Sequence, residues 1–144
     1  MTTNLEQLVD DFELFDNWED RYRYLIDMGQ NLPAMDDALK TDQNIVRGCT
    51  SKVWMFSRIE KDEQGNNVLH FVADSDAQIV RGLIHILSIA FEGQKFEDIK
   101  SVDMDKWFEK LGLSQHLSPN RRNGFFAMVS KIQSYADNVN AASL

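Results

Sequence analysis

The stretch SKVWMFSRIEKDEQGNNVLHFVA, residues 51–73, decides the fold class. Its first half is β-branched and aromatic, KDEQGNN places Gly65 and Asn66 where a turn needs them, and VLHFVA returns with the same character. An antiparallel hairpin is expected. His70 alternates with Leu69 and Phe71, which directs it to solvent, and Trp54 and Trp107 read as anchors of the core.

Outside the hairpin the apolar spacing changes to threes and fours, the period of helices. Downstream, Asp74 or Ser75 is expected to cap a central helix whose apolar face runs from Ile79 and Val80 through Leu87 to Phe91, ending at Gly93. Asp103 is placed to cap a short helix carrying Trp107, Phe108 and Leu111, closed by Gly112. Ser118 and Pro119 occupy the cap and first positions of a last helix, with Phe125, Met128, Val129, Ile132 and Tyr135 turned inward.

Upstream, Thr3 and Glu6 form a capping box ahead of Leu5, Leu8, Val9, Phe12 and Phe15, so a first helix is expected to about Asp16. Asn17 caps a second helix, on which Trp18, Tyr22, Leu25 and Ile26 share a face before Gly29 and then Pro33 stop it. Residues 34–48 read as irregular apart from a short turn at DDALK. The expected plan is α+β, helices packed against a small antiparallel β-sheet, in one domain spanning residues 1–144.

A net charge of -8 disfavours binding to nucleic acid, which depends on Lys and Arg neutralising phosphates. The longest apolar stretch, Ile79 to Phe91, contains Arg81, Gly82, His85 and Ser88 and is too short and too polar to span a membrane. The first residues, MTTNLEQLVDDF, have neither a basic nor an apolar signal region, so a cytoplasmic location is expected. One cysteine cannot close an intramolecular disulfide, and His70, His85 and His116 lack any metal-ligand spacing.

That cysteine, Cys49, lies in IVRGCTSKVW, residues 45–54. Gly48 permits a positive φ and close approach of another molecule, while Arg47 and Lys52 bring cations that favour a thiolate. Two readings stay open on these residues: a presented, reactive thiol, or a small hydrophobe buried under the first strand. A Cys/His enzyme would need His116 as its base, yet nothing specific supports that, and His116 suits packing or capping before the last helix. His85 fits a core or groove position. Sulfur transfer between thiols needs no base, because a thiolate attacks the outer sulfur of a persulfide and the leaving group is itself a thiolate.

The run RGCTSKVW at residues 47–54 resembles the active loop of the SufE family, which includes the related CsdE proteins. The resemblance continues through NWEDRYRYLIDMGQNLPAM at 17–35, DSDAQIVRGLI at 74–84, WFEKLGL at 107–113 and HLSPNRRNG at 116–124. These segments fall in the family's order along nearly the whole chain, and the DSDA segment is more similar to SufE than to CsdE.

The resemblance implies a sulfur-acceptor protein of iron-sulfur cluster assembly with no independent turnover. Cys49 would take persulfide sulfur from a cysteine desulfurase dependent on pyridoxal phosphate, SufS- or CsdA-like, stimulate that enzyme, and pass the sulfur to a SufBCD-like scaffold. The pyridoxal phosphate would belong to the partner, with no cofactor bound here. Arg121 would stabilise the Cys49 thiolate or contact the desulfurase, whereas by itself it is a charge on a helix start that opposes the macrodipole. Asp74 and Asp76 would dock the partner, against the simpler capping role, and Ser51 would hydrogen-bond within the loop. A persulfide needs shelter, so the resting loop is expected to tuck Cys49 against apolar surface until the partner docks. An adaptor that only activates its partner, without accepting sulfur, is a further reading.

Overall fold

Val53 and Met55 are buried, while Trp54 between them is half-buried and Phe56 is exposed. That alternation commits the segment to a strand with one face on a core. The computed structural model describes the backbone of residues 5–48 and 51–142 and the side chains of those residues as far as Ala136. In it β1 (Val53–Lys61) pairs antiparallel with β2 (Asn67–Ser75), from Val53 opposite Ser75 to Lys61 opposite Asn67. The Asp62 carboxylate closes the turn by accepting from the backbone N–H groups of Asn66 and Gln64, each at 2.9 Å. Those bonds, the Asn66 one foremost, hold its carboxyl below the usual range. Gly65 takes φ +82.

A third strand, β3 (Gln94–Lys95), pairs with β2 and gives the order β1-β2-β3. Two residues carry no period, so the sequence does not announce it. Gly93, at φ +71, makes the turn into it and donates its N–H to Leu69 O at 2.8 Å.

The expected hairpin, central helix and flanking helices are all present, and the class is α+β. The first helix, α1 (Leu5–Glu13), is shorter than expected, because Leu14 and Phe15 bond to the carbonyls of Asp11 and Phe12 in a tightened last turn. Phe15 then packs against Tyr24 with ring centroids 5.3 Å apart. Thr3 of the expected capping box lies outside the described residues. In α2 (Trp18–Gln30), Asn17 Oδ1 accepts from Asp20 N at 2.9 Å, the expected cap. Gly29 does not stop this helix but lies inside it, for a reason found in the central helix α3 (Gln78–Phe91).

A Cβ on Gly29 would come within 2.8 Å of Gly82 N, and one on Gly82 would overlap the Leu25 carbonyl oxygen. The two glycines let the backbones of α2 and α3 touch. Leu83, Ile84, Ile86, Leu87 and Phe91 then fill the centre of the core.

Neither Asp74 nor Ser75 caps α3, correcting that expectation: both belong to β2, and the cap position is Ala77, which offers no side-chain acceptor. Single-turn 3-10 segments occur at Asp37–Leu39, within the expected DDALK turn, and at Asp42–Asn44, which was not expected. Beyond β3 come α4 (Phe96–Ser101), α5 (Met104–Lys110), α6 (Leu113–His116) and the long α7 (Pro119–Ala142). Asp103 caps α5 and Ser118 Oγ accepts from Arg121 N at 3.3 Å, both as expected, while α4 and α6 are too short to show a period.

Two side chains depart from expectation. Trp54 is not a core anchor: it stands on the sheet face opposite Val53 and Met55, with Lys40 Nζ 5.7 Å from its ring centroid. Trp107 does pack on the core, with Lys110 Nζ 4.8 Å from its ring. His70 is not simply solvent-facing but half-buried, its Nδ1 2.7 Å from Glu92 and its Nε2 3.3 Å from Glu60.

Candidate functional site

Cys49 and Thr50 lie outside the described residues, so the site is defined by what holds the chain on either side of them. On the N-terminal side Val46 N donates to Val53 O at 2.9 Å, and Ile45 bridges Trp54. Gly48 follows with φ +95, a conformation that L side chains rarely adopt. A Cβ there would meet the Ala127 methyl at 3.2 Å, so glycine also lets the loop approach α7.

On the C-terminal side the DSDA segment clamps Lys52. Its N–H donates to Asp76 Oδ1 at 3.2 Å, and its carbonyl accepts from Ser75 Oγ at 2.7 Å and Asp76 N at 3.3 Å. Ser75 Oγ also accepts from Ala77 N at 3.2 Å, tying the clamp to the start of α3. The loop is thus anchored at both ends by backbone and short side chains. Arg47 and the Lys52 side chain are exposed beside it.

Beside Ser51 opens a narrow niche of about 20 Å³, room for roughly one water-sized group. Ser51, from the loop itself, lines it together with Arg121 and an apolar floor of Val80, Leu83, Phe125 and Met128. Arg121 is exposed at the first turn of α7, and its Nη1 donates to the Tyr22 hydroxyl of α2 at 2.8 Å. That bond gives a cation at a helix N-terminus a fixed position despite the unfavourable dipole.

Asp74 is only 8% exposed. Its carboxylate lies 3.2 Å from Lys40 Nζ and 3.0 Å from Arg81 Nε, the latter an ion pair whose N–H is not aligned for a hydrogen bond. Hydrogen bonding to Asp74, with its charge, holds the Lys40 ammonium above the usual lysine range. Asp74 is thereby enclosed as the centre of a structural ion cluster. Asp76 is exposed, but its carboxylate is engaged with the loop backbone.

His116 stacks on Trp18 with ring centroids 4.4 Å apart and planes 11° from parallel, the packing role its position suggested. His85 is half-buried on α3. Burial pushes its imidazole below the ordinary value, and its Nδ1 is enclosed without a hydrogen-bond partner among the described residues. No helix of the described residues is long and apolar enough to cross a membrane.

The sequence had indicated Arg47, Gly48, Ser51, Lys52, Asp74, Asp76 and Arg121. The structure brings Ser51 and Arg121 to one niche and joins Lys52 to Asp76, while Asp74 belongs to a neighbouring cluster. Tyr22 and the apolar floor were missed. In the sequence they are indistinguishable from ordinary helix-face residues, and the only available hint is that Tyr22 lies on a face that also carries charged neighbours.

A single α+β domain in which Ser51 and Arg121 border a small apolar niche, beside the clamp on Lys52, defines the class of protein. A structure solved in solution, of a hypothetical protein from Thermus thermophilus, has the same fold: TM-score 0.74 over 95% of this chain and 96% of that one, at 18% identity. The family described as "SufE: Fe-S metabolism associated domain" matches residues 6–136. An uncharacterized SufE-like protein of Rhizobium meliloti is 43% identical over 135 residues, 94% of this chain and 96% of the relative. Another, from Rhizobium etli, is 41% identical over 133 residues, covering 92% and 89% respectively. This chain belongs to the SufE family, a domain associated with iron-sulfur metabolism.

Proposed function

We propose that the protein is a sulfur acceptor and carrier for iron-sulfur cluster assembly, working through Cys49 in the cytoplasm. The Cys49 thiolate attacks the terminal sulfur of a persulfide on a cysteine desulfurase. The new bond joins Cys49 to that sulfur, the old sulfur-sulfur bond breaks, and the desulfurase thiolate departs. No external oxidant is needed, because the sulfane sulfur only changes carrier. Clearing the desulfurase cysteine accounts for stimulation of that enzyme, whose pyridoxal phosphate stays with it. A SufBCD-like scaffold then takes the sulfur by the same exchange.

The observation that carries this reading is the niche beside Ser51, with its apolar floor and the Arg121 guanidinium at its rim. A persulfide is open to reductants and oxidants in water, and an apolar recess shelters it while a nearby cation favours the anionic sulfur. The clamp on Lys52 and the approach of Gly48 to α7 hold the chain on either side of Cys49 close to this niche. Arg47 and Lys52, exposed on the flanks, and the exposed Asp76 bonded to Lys52 are the docking residues in this reading. Asp74 contributes by holding the clamp in place.

The test is the intact mass of the protein after incubation with a cysteine desulfurase, pyridoxal phosphate and L-cysteine, alongside Cys49→Ser. Wild type gains sulfur that a reductant removes, and the variant gains none. A folded wild type that acquires no sulfur from any desulfurase offered would overturn the reading. An unaltered stimulation by Cys49→Ser would assign the protein to activation alone.

A further inference from the structure

On the reading of the chain as a sulfur carrier, we propose that the side bearing the cysteine loop is a cationic recognition face, formed by Arg47, Lys52, Arg121 and Lys131, that docks on an acidic surface around the reactive cysteine of the sulfur donor. The charge of the chain is unevenly spread. Residues 43–59 and 111–136 hold six of its 15 Lys and Arg and none of its 23 Asp and Glu. The other residues carry the remaining nine cations against all 23 acids, so a net charge of -8 conceals a positive region.

The fold brings these two stretches together. The first contains the loop and most of β1, the second α6 and most of α7. They meet at three levels: Ser51 and Arg121 line one niche, a Cβ on Gly48 would meet the Ala127 methyl at 3.2 Å, and the Tyr135 and Ser57 side chains share a hydrogen bond. Ala127, Lys131 and Tyr135 are spaced by fours and share one helix face, so Lys131 stands between the Gly48 and Ser57 contacts. Its ammonium lies 5.6 Å from the Tyr135 ring centroid, and the side chain is half-buried. A lysine stem along apolar surface with its charge kept in water has this form. Arg47, Lys52 and Arg121 are exposed.

These four cations differ from others of the chain in lacking an anion. Arg23 pairs with Asp20, Lys40 and Arg81 with Asp74, and Arg58 with Glu60. Arg47, Lys52, Arg121 and Lys131 have no carboxylate within ion-pair distance among the described residues. Arg121 bonds only the neutral Tyr22 hydroxyl, and the Asp76 carboxylate beside Lys52 is taken up by the Lys52 N–H at 3.2 Å. Like charges gathered around one loop repel each other in the free protein, and carboxylates on a partner offset that cost while steering its approach to the loop. A protein surface suits the face better than nucleic acid does. A duplex extends past four cations onto the acidic remainder of the chain, which repels its phosphates.

The experiment measures binding of the full chain to an immobilised SufS-like desulfurase with L-cysteine left out, so that docking is read without sulfur transfer. Wild-type affinity falls about tenfold or more as salt rises from about 0.05 to 0.5 M. Arg47→Glu and Lys131→Glu each weaken binding about tenfold at the lower salt and flatten the salt dependence. Lys131→Gln, which keeps much of the packing on Tyr135, shows part of the loss. Lys95→Glu changes the net charge by the same amount at the far end of the sheet and leaves affinity unchanged: Lys95 is opposite Val68, seven residues and about 23 Å along β2 from Ser75 beside the loop. The proposal is overturned if wild type does not bind, if its binding is indifferent to salt, or if Lys95→Glu loses as much as Lys131→Glu. Displacement of the desulfurase by duplex DNA at equal salt assigns the face to nucleic acid and overturns it as well. Adding L-cysteine then reads sulfur uptake by intact mass. Salt-sensitive docking without uptake overturns the carrier reading alone, whereas uptake with docking indifferent to salt and to both reversals overturns this proposal alone.

Discussion

Gly29 and Gly82 face each other where α2 crosses α3, so close that a Cβ on Gly29 would stand 2.8 Å from the Gly82 backbone nitrogen. The helix pair carries the loop's surroundings: α2 supplies Tyr22 to hold Arg121, and α3 supplies Val80 and Leu83 to the niche floor. Replacing Gly82 by Ala gains up to about 1 kcal/mol of helix propensity, yet it drives a methyl into the Leu25 carbonyl, a backbone atom that cannot turn aside. A net loss of about 2–3 kcal/mol of stability is expected. Urea unfolding of Gly82→Ala against wild type measures it, and an unchanged midpoint would contradict the crossing described.

Asp76→Ala removes the acceptor for Lys52 N while leaving the Ser75 half of the clamp. One hydrogen bond at an exposed site contributes about 1 kcal/mol, so the fold persists. The loop end is freed, and sulfur capture by Cys49 is expected to slow several-fold. Timed mass spectrometry with a desulfurase supplies the rate, and backbone amide exchange at Lys52 reports whether the clamp has opened.

Arg121→Gln keeps much of the side chain's length and polarity but removes the charge at the niche rim. Sulfur capture is expected to fall by about tenfold at neutral pH, through a slower reaction of the thiolate. Arg121→Lys recovers part of it, since the charge returns without the planar fork that meets the Tyr22 hydroxyl. Equal rates in all three proteins would leave Arg121 only a surface role.

His85 gives a pH dependence of definite sign. Burial holds its folded-state pKa below the ordinary histidine value of 6.5. Between those two values the unfolded chain binds more protons than the folded one, so stability falls as pH drops below about 6.5 and levels off once the folded imidazole is also charged. The contribution is fully present at higher pH. His85→Gln, which has no proton to gain in this range, should lose less stability than wild type between about pH 7.5 and 5.5. The difference between the two slopes, from urea titrations, isolates His85 from the other titrating groups.

Much of the architecture was legible in the sequence because its causes are local. Asn17, Asp103 and Ser118 cap helices through bonds to residues three positions on. Gly65 and Asp62 close the hairpin within five residues, and the β-branched and aromatic content of SKVWMFSRIE marks a strand, although four apolar residues in a row, Val53 to Phe56, hide which face is buried. Those signals were sufficient for α+β, and RGCTSKVW together with the segments at 17–35, 74–84, 107–113 and 116–124, in that order along the chain, indicated the family.

Tertiary structure alone decided the rest, since the partners concerned lie far apart in the chain and leave no period behind. Gly29 reads as a stop until α3 arrives against it, and Asp74 reads as a cap until Lys40 and Arg81 close around it. β3 exists because Gly93 returns the chain to β2. The Arg121 bond to Tyr22 spans 99 positions, and the niche is assembled from the loop, α3 and α7. A sequence determines which residues can turn, cap or alternate, whereas only packing determines which distant groups share one small volume, and the chemistry proposed for Cys49 depends on that volume.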